Sequence, residues 1–204
     1  MAQVALIGAS GNAGARILKE LVTRGHEVTA IARHPEKIAS FEGVQALAGN
    51  VDDRAALTRL LEGADAVISA VPFSNSDPDT LINAVRDAGV KRYLVVGGAG
   101  SLLVGPGQRV IDQPDFPEAY KPEASKGAVF LEKLEQADDL DWTFLSPSAE
   151  FVPGERTGRF RLGTNELLVD ERGESHISFE DYAIALVDEL ENHHHLRQRF
   201  TVGY

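Results

Sequence analysis

Gly8, Gly11 and Gly14 follow the apolar run Val4-Ala5-Leu6-Ile7 with G-x-x-G-x-x-G spacing. A helical pattern of Ala15, Ile17, Leu18, Leu21 and Val22 starts directly after them. Strand, glycine turn and helix, in that order, are the context in which a chain cradles a pyrophosphate. Gly8 permits the tight turn, Gly11 lets the backbone approach the phosphates, and Gly14 lets the helix close on the strand. The helix N-terminus adds free N–H groups and the positive end of its dipole. Ser10, Asn12 and Ala13 therefore join the glycines as candidate contacts to a dinucleotide. In a chain with 19 glycines the spacing alone is weak; its place between an N-terminal strand and a helix makes it specific.

The second strand ends Ile31-Ala32-Arg33-His34. An NAD site carries a carboxylate there for the ribose 2′-hydroxyl, whereas an NADP site offers neutral and basic groups to a 2′-phosphate. Glu27 lies at the wrong end of the strand, and Arg33 can form a bidentate pair with a phosphate, assisted by a protonated His34. NADP(H) is therefore expected over NAD(H). Ligands of open α/β sheets sit at the C-terminal ends of the strands. That puts Asn50 and Val51 at the adenine edge, Ala70, Val71, Pro72 and Phe73 on the ribose and nicotinamide side, and Gly97 and Gly98 where a flat ring approaches. After the sixth strand, Pro147, Ser148 and Phe151 are expected to border the nicotinamide and the substrate, with Glu150 read as a solvated carboxylate. The segment from Gly154 to Arg161 holds three arginines against one glutamate, and Arg156 could grip an acidic substrate such as a flavin phosphate. His193-His194-His195 lacks a partner set and a shared face, so no metal site is expected and the run reads as a polar helix end.

These residues need a frame. Strands are expected at 27–32, 44–48, 66–71, 93–96 and 142–145, and helices at 53–62 (N-cap Asp52), 79–88 and 122–136, with a short helix or turn at 35–40. Such alternation means βαβ units and a parallel sheet. The fourth and fifth strands are apolar at consecutive positions, as happens when helices cover both faces. The expectation is an α/β, doubly wound parallel sheet forming one domain over 1–204, with 147–180 as a small C-terminal lid or substrate annex and a short strand pair expected within 153–175. Ser178 is expected to cap a helix with the apolar stripe Tyr182, Ala185, Leu186 and Leu190, followed by a last strand at 199–202.

The bulk composition narrows the partners. An apolar content of 43% and a charged content of 25% are ordinary for a globular domain. A net charge of −11 argues against nucleic acid, because phosphate contacts need basic surface. No cysteine is present, which excludes disulfides and thiolate sites and fits a reducing cytoplasm. Only three residues precede the first strand, so no signal peptide is expected, and the longest uncharged stretch, 93–108, is too short to span a bilayer as a helix. A monomer or homodimer acting on a small-molecule acceptor is expected.

Gly8-Ala-Ser-Gly-Asn-Ala-Gly14, Gly25-His-Glu-Val28, Ala32-Arg33, Asp65-Ala-Val-Ile68 and Asp141-Trp-Thr143 together resemble the atypical short-chain dehydrogenase/reductases. More narrowly, the chain is similar to the NAD(P)H-binding, NmrA-like group described as NADH-flavin reductases, which includes relatives of biliverdin reductase B. Ile177-Ser-Phe-Glu-Asp-Tyr-Ala183 resembles a segment that recurs in that group. The resemblance implies a Rossmann fold, bound NADP(H) and reductase activity. It also implies a Tyr with a Lys four residues on, plus a Ser after the fifth strand, as the proton-handling set. Here the candidates are Ser101, Tyr120 and Lys126, but Lys126 is six residues beyond Tyr120 and Pro122 lies between them, so the i, i+4 alignment is lost. Either Tyr120 acts from outside the helix, or no tyrosine acid is used and hydride passes to a flat flavin or quinone with solvent handling protons. A non-catalytic NADP(H)-binding redox sensor of the NmrA-like type is the alternative. A sugar-nucleotide epimerase is a third reading, for which the chain is short and the Tyr–Lys spacing wrong.

Overall fold

The computed structural model describes all of residues 1–204. In chain order its first half comprises β1 (Gln3–Ile7), α1 (Asn12–Thr23), β2 (Glu27–Ala32), β3 (Val44–Ala48), α2 (Arg54–Leu61), β4 (Ala66–Ser69), α3 (Pro78–Asp87) and β5 (Arg92–Val96). There follow β6 (Leu103–Gly105), β7 (Gln108–Arg109), α4 (Lys121–Glu135), β8 (Asp141–Ser146), β9 (Glu150–Val152), β10 (Arg161–Gly163), β11 (His176–Ser178), α5 (Phe179–Asn192) and β12 (Gln198–Gly203). Eight strands form one sheet in the order β10-β12-β8-β5-β4-β1-β2-β3. All neighbours are parallel except β10, which runs antiparallel along β12. The order reverses between β1 and β4, and ligands of a doubly wound sheet bind at such a switch point.

Successive strand side chains point to opposite faces, and both faces here are apolar. Val4 and Leu6 face a layer with Ile17, Leu18 and Leu21 of α1 and Tyr182, Leu186 and Leu190 of α5. Ala5 and Ile7 face a second layer with Leu57 of α2, Leu81 and Val85 of α3 and Phe130 and Leu134 of α4. Fully burying one such leucine or phenylalanine stabilises by roughly 1.5–3 kcal/mol, so each layer holds its helices firmly. The expected core stripe of α5 is buried throughout. No helix is long and apolar enough to cross a membrane.

Helix caps set the element boundaries. Ser178 Oγ accepts from Asp181 N, as expected. The cap of α2 is Asp53, which accepts from Ala56 N, and not Asp52; the side chain one residue later is the one placed to reach the helix amides. Asp77 caps α3 by accepting from Thr80 N. The fourth strand stops at Ser69, where its ladder with Ile7 ends, rather than at Val71.

The annex also differs from expectation. Its short strands do not pair within 153–175. β9 pairs in parallel with β11, and β10 extends the main sheet beside β12. The apolar run Leu167-Leu168-Val169 forms no strand; Leu167 N donates to Leu103 O at 2.9 Å instead and ties this segment to β6. The β6–β7 hairpin escaped the sequence reading, although Gly105-Pro106-Gly107 is a turn signal between its strands.

A tight contact fixes α1 on the end of β1. A Cβ built at Gly14 would lie 1.9 Å from the carbonyl oxygen of Gly8, and one at Gly8 would lie 2.6 Å from the Ala70 carbonyl oxygen. Gly8 also has φ of +83°, a left-handed conformation that glycine adopts without strain. Both clashes are with backbone, which cannot rotate away. Gly14→Ala is expected to lower stability by at least about 1–3 kcal/mol, the usual range for overpacking. Urea unfolding checks this through the transition midpoint, with Gly25→Ala, where a Cβ meets nothing within 4 Å, reporting the separate cost of a positive φ.

Candidate functional site

The loops after β1, β2, β3 and β4 enclose a cleft of about 290 Å³. Gly8, Ser10, Gly11, Arg33, Asn50, Val51, Ala70, Val71 and Pro72 all line it. Asn12, Ala13 and Gly14 form the first turn of α1 just behind the glycine loop. Of the three loop glycines, Gly8 and Gly14 have internal packing reasons. Gly11 has none, since a Cβ there would come no closer than 3.5 Å to any protein atom. Its bare backbone faces the cleft. The N-terminus of α1 is also unlike those of α2, α3 and α5 in that its N-cap Gly11 gives no side-chain hydrogen bond, and its first turn, like that of α2, has no acidic residue. The amides and the dipole are left for an anion from outside. These features fit a dinucleotide pyrophosphate.

At the far end of the cleft stands Arg33, exposed, with no side-chain hydrogen bond or ion pair. The carboxylate among the lining residues is Asp52, which follows β3 and not β2. Glu27 is engaged by Gln3 Nε2 at the opposite end of the strand. His34 lies outside the lining, 62% exposed, with Nδ1 3.4 Å from Glu36. Asn50 uses its side-chain oxygen on Asp52 N at 3.0 Å and so shapes the β3 loop itself.

Beyond Pro72 a second, larger cavity of about 690 Å³ opens over the ends of β5 and β8. Phe73, Gly97, Gly98, Pro147, Ser148 and Phe151 line it. Phe73 is held rigidly. Its ring stacks on Phe144 with centroids 6.0 Å apart and lies 5.4 Å from Phe130. Its amide and that of Ser74 donate to the Glu123 carboxylate at 2.6 and 2.7 Å. Gly97 is required by packing, because a Cβ would sit 2.4 Å from the Phe144 ring, whereas Gly98 has only a 3.7 Å neighbour and leaves its face open. Ser148 is buried and donates to Val202 O at 2.9 Å. Phe151 packs against Phe179 and Tyr182 at 4.4 and 4.7 Å. The opposite wall, with Val104, Val110, Gln113, Phe116 and Pro117, comes from the irregular segment after β5. None of these five was singled out from the sequence; the signal available was a set of apolar residues spaced between turn formers.

The three proton-handling candidates do not converge. Tyr120 lines the cavity, 66% exposed, at the N-cap of α4. Lys126, six residues on, is on another side of the helix, its Nζ 3.4 Å from Ser74 O, and lines neither cavity. Ser101 also lines neither. Its hydroxyl accepts from Arg199 Nη1 at 3.0 Å, and the same guanidinium donates to Ser146 Oγ, Ser101 O and Asn165 Oδ1. Burial pulls the Arg199 pKa down, opposed by the more distant Glu135 and Glu166. Arg199 thereby ties the loop after β5 to the annex.

Arg156, expected to grip an anionic substrate, is placed elsewhere. It makes a two-pronged pair with Glu20 of α1 at 3.0 and 2.9 Å and lines neither cavity. Burial pushes the Glu20 carboxyl up, but Arg156 and Arg24 outweigh it and hold the acid below its ordinary range. The adjoining loop is pinned by buried Asp181, which accepts from Thr157 N and Gly158 N at 2.8 Å. Glu150 is exposed. In the histidine run, His193 takes a left-handed φ of 55° to close α5, and His195 stacks on Phe200 at 3.9 Å while bonding Glu189. That run is structural.

Comparison with known proteins agrees with this geometry. The family described as NAD(P)H-binding matches residues 8–193. The uncharacterized protein YwnB of Bacillus subtilis is 43% identical, over 98% of this chain and 97% of its own. A Bacteroides thetaiotaomicron structure, provisionally called an epimerase, superposes with a TM-score of 0.94 at 45% identity, covering 99% of this chain and 96% of that one. SP1627 of Streptococcus pneumoniae, provisionally called an NADH-flavin reductase, superposes with a TM-score of 0.81 at 39% identity, covering 100% and 99%.

Because Gly11 is spared by internal packing, Gly11→Ala is expected to fold with an unchanged unfolding midpoint and to lose at least about tenfold in nicotinamide dinucleotide affinity, a difference of about 1.4 kcal/mol. Titration calorimetry beside urea unfolding separates the two effects.

Proposed function

This chain belongs to the NAD(P)H-binding family, and on that premise we propose that it is an NADPH-dependent oxidoreductase that passes hydride to a small flat acceptor such as a flavin or quinone. The observation that carries this reading is the pairing of two cavities at consecutive residues: Pro72 lines the dinucleotide cleft and Phe73 lines the larger, mostly apolar space beside it. A protein that only sensed NADP(H) would need the first and not the second. Bound NADPH supplies the hydride. The chain supplies position and dryness. Gly98 leaves room for a ring to lie flat, Phe73 and Phe151 wall it, and Pro147 and Ser148 close the β8 side. Holding two reactants at near-attack distance and excluding water carry most of the rate in such a transfer.

The accompanying proton comes from water in this scheme. Tyr120 is mostly exposed at the cavity rim, Lys126 is turned to the Ser74 carbonyl, and Ser101 is committed to Arg199. The same placement disfavours epimerase chemistry, which needs an acid–base pair over the reacting carbon. Steady loss of NADPH absorbance with a panel of flavins and quinones is the expected result; binding without consumption identifies a sensor. Tyr120→Phe is expected to keep turnover within about threefold, because general acid catalysis would contribute about a hundredfold or more. A loss of that size, with cofactor affinity intact, would restore the tyrosine acid.

The NADP preference rests on Arg33, the unpaired cation lining the cleft after β2. A charge-assisted hydrogen bond to a phosphate is worth about 1.5–3 kcal/mol. Arg33→Ala is therefore expected to weaken NADPH binding by roughly ten- to a hundredfold while leaving NADH within about threefold. Competitive binding of the two cofactors measures this. The cysteine-free composition supports placing the protein in a reducing cytoplasm.

A further inference from the structure

The charges around the larger cavity all have one sign. Asp115 and Glu123 line it, and no lysine, arginine or histidine does. Glu123 is fixed in the wall by the Phe73 and Ser74 amides. Asp115 is exposed and forms no ion pair. The cations nearest in sequence are already engaged. Arg109 is held by Asp112 at 2.7 Å, Lys121 by Glu118 at 2.5 Å, and Lys126 reaches the Ser74 carbonyl. Arg199 is bound by Ser101, Ser146 and Asn165, and Arg156 lies on Glu20. The chain as a whole carries −11. A phosphate-bearing ligand brings a charge of about −1.5 to −2 and needs a cation that this rim does not offer. The two carboxylates on the rim repel it instead.

We propose that the cavity takes an electrically neutral flat acceptor, of the quinone or unphosphorylated flavin class, and discriminates against the anionic counterparts of the same ring. The selectivity comes from Asp115 and Glu123 together with the absence of a free cation, and it rests on reading the cavity as the acceptor site. On reduction the acceptor gains a hydride and one proton from water, NADPH is oxidised to NADP⁺, and no other reactant is required.

Two matched pairs of probes test this, each sharing a ring and differing in charge: riboflavin against flavin mononucleotide, and 1,4-naphthoquinone against its 2-sulfonate. Binding to the protein–NADP⁺ complex is measured by fluorescence quenching, and turnover by NADPH absorbance. The neutral member of each pair is expected to bind at least about tenfold more tightly, corresponding to one repulsive contact of about 1.4 kcal/mol. Asp115→Lys, a change at an exposed side chain, is expected to shrink that ratio at least about threefold by tightening the anionic member. Equal or tighter binding of flavin mononucleotide and the sulfonate by the wild-type protein overturns the proposal. If the neutral probes bind selectively but no probe is reduced, the reductase reading fails and the charge selection stands.

Discussion

The whole architecture hangs on how closely two pieces of backbone approach at the end of β1. The Gly8 carbonyl and the Gly14 Cα meet where no side-chain atom fits, and the Ala70 carbonyl closes on Gly8 from the neighbouring strand. That contact sets the angle at which α1 leaves the sheet. It also seats the switch point, because Ala70 belongs to the loop after β4 and Gly8 to the loop after β1. If the helix were displaced by a methyl group, the cleft, the first layer of core and the register of loops around it would all shift together.

From this point the sheet distributes its work by alternation. From Val4 to Ile7 each residue of β1 serves one of two apolar layers, so the strand is buried from both sides and polar groups gather at its C-terminal end. The helices flanking it obey the same economy. Where a side chain is available, as at Asp53, Asp77 and Ser178, the helix satisfies its own amides. Where the chain has only Gly11, the amides are left bare beside a cleft. Unlike α4, whose uncapped start continues from a preceding turn of 3-10 helix, α1 starts uncapped at a cleft, where a ligand can complete that end.

Most of the frame was legible because its signals are local. The apolar run before Gly8, the Ser178 cap and the stripe from Tyr182 to Leu190 depend on neighbours within a few residues, and they formed as read. The cleft residues were legible for a related reason, since loops after parallel strands fall at one edge by topology. What was hidden is what depends on distant partners. Arg156 looked like a free cation because its partner, Glu20, is 136 residues away in the chain. Ser101 looked available because Arg199 is 98 residues away. The wall from Val104 to Pro117 has neither helical nor strand period, so nothing in its sequence announced which side chains turn inward. The one-residue shift from Asp52 to Asp53 is of another kind: adjacent acids both suit a cap, and only the geometry of the turn chooses.

The larger cavity is built mainly from segments that contribute little to the two core layers, chiefly the stretch after β5 and the one from Pro147 onward. The dinucleotide cleft, by contrast, is made of strand ends whose interior neighbours hold the sheet together. The two halves of the site therefore differ in mutational freedom. Residues such as Val104, Phe116 or Leu167 can be exchanged at small cost to folding, while Gly8 and Gly14 cannot. One scaffold can thus have a rim rewritten without disturbing the strand ends that hold its sheet together.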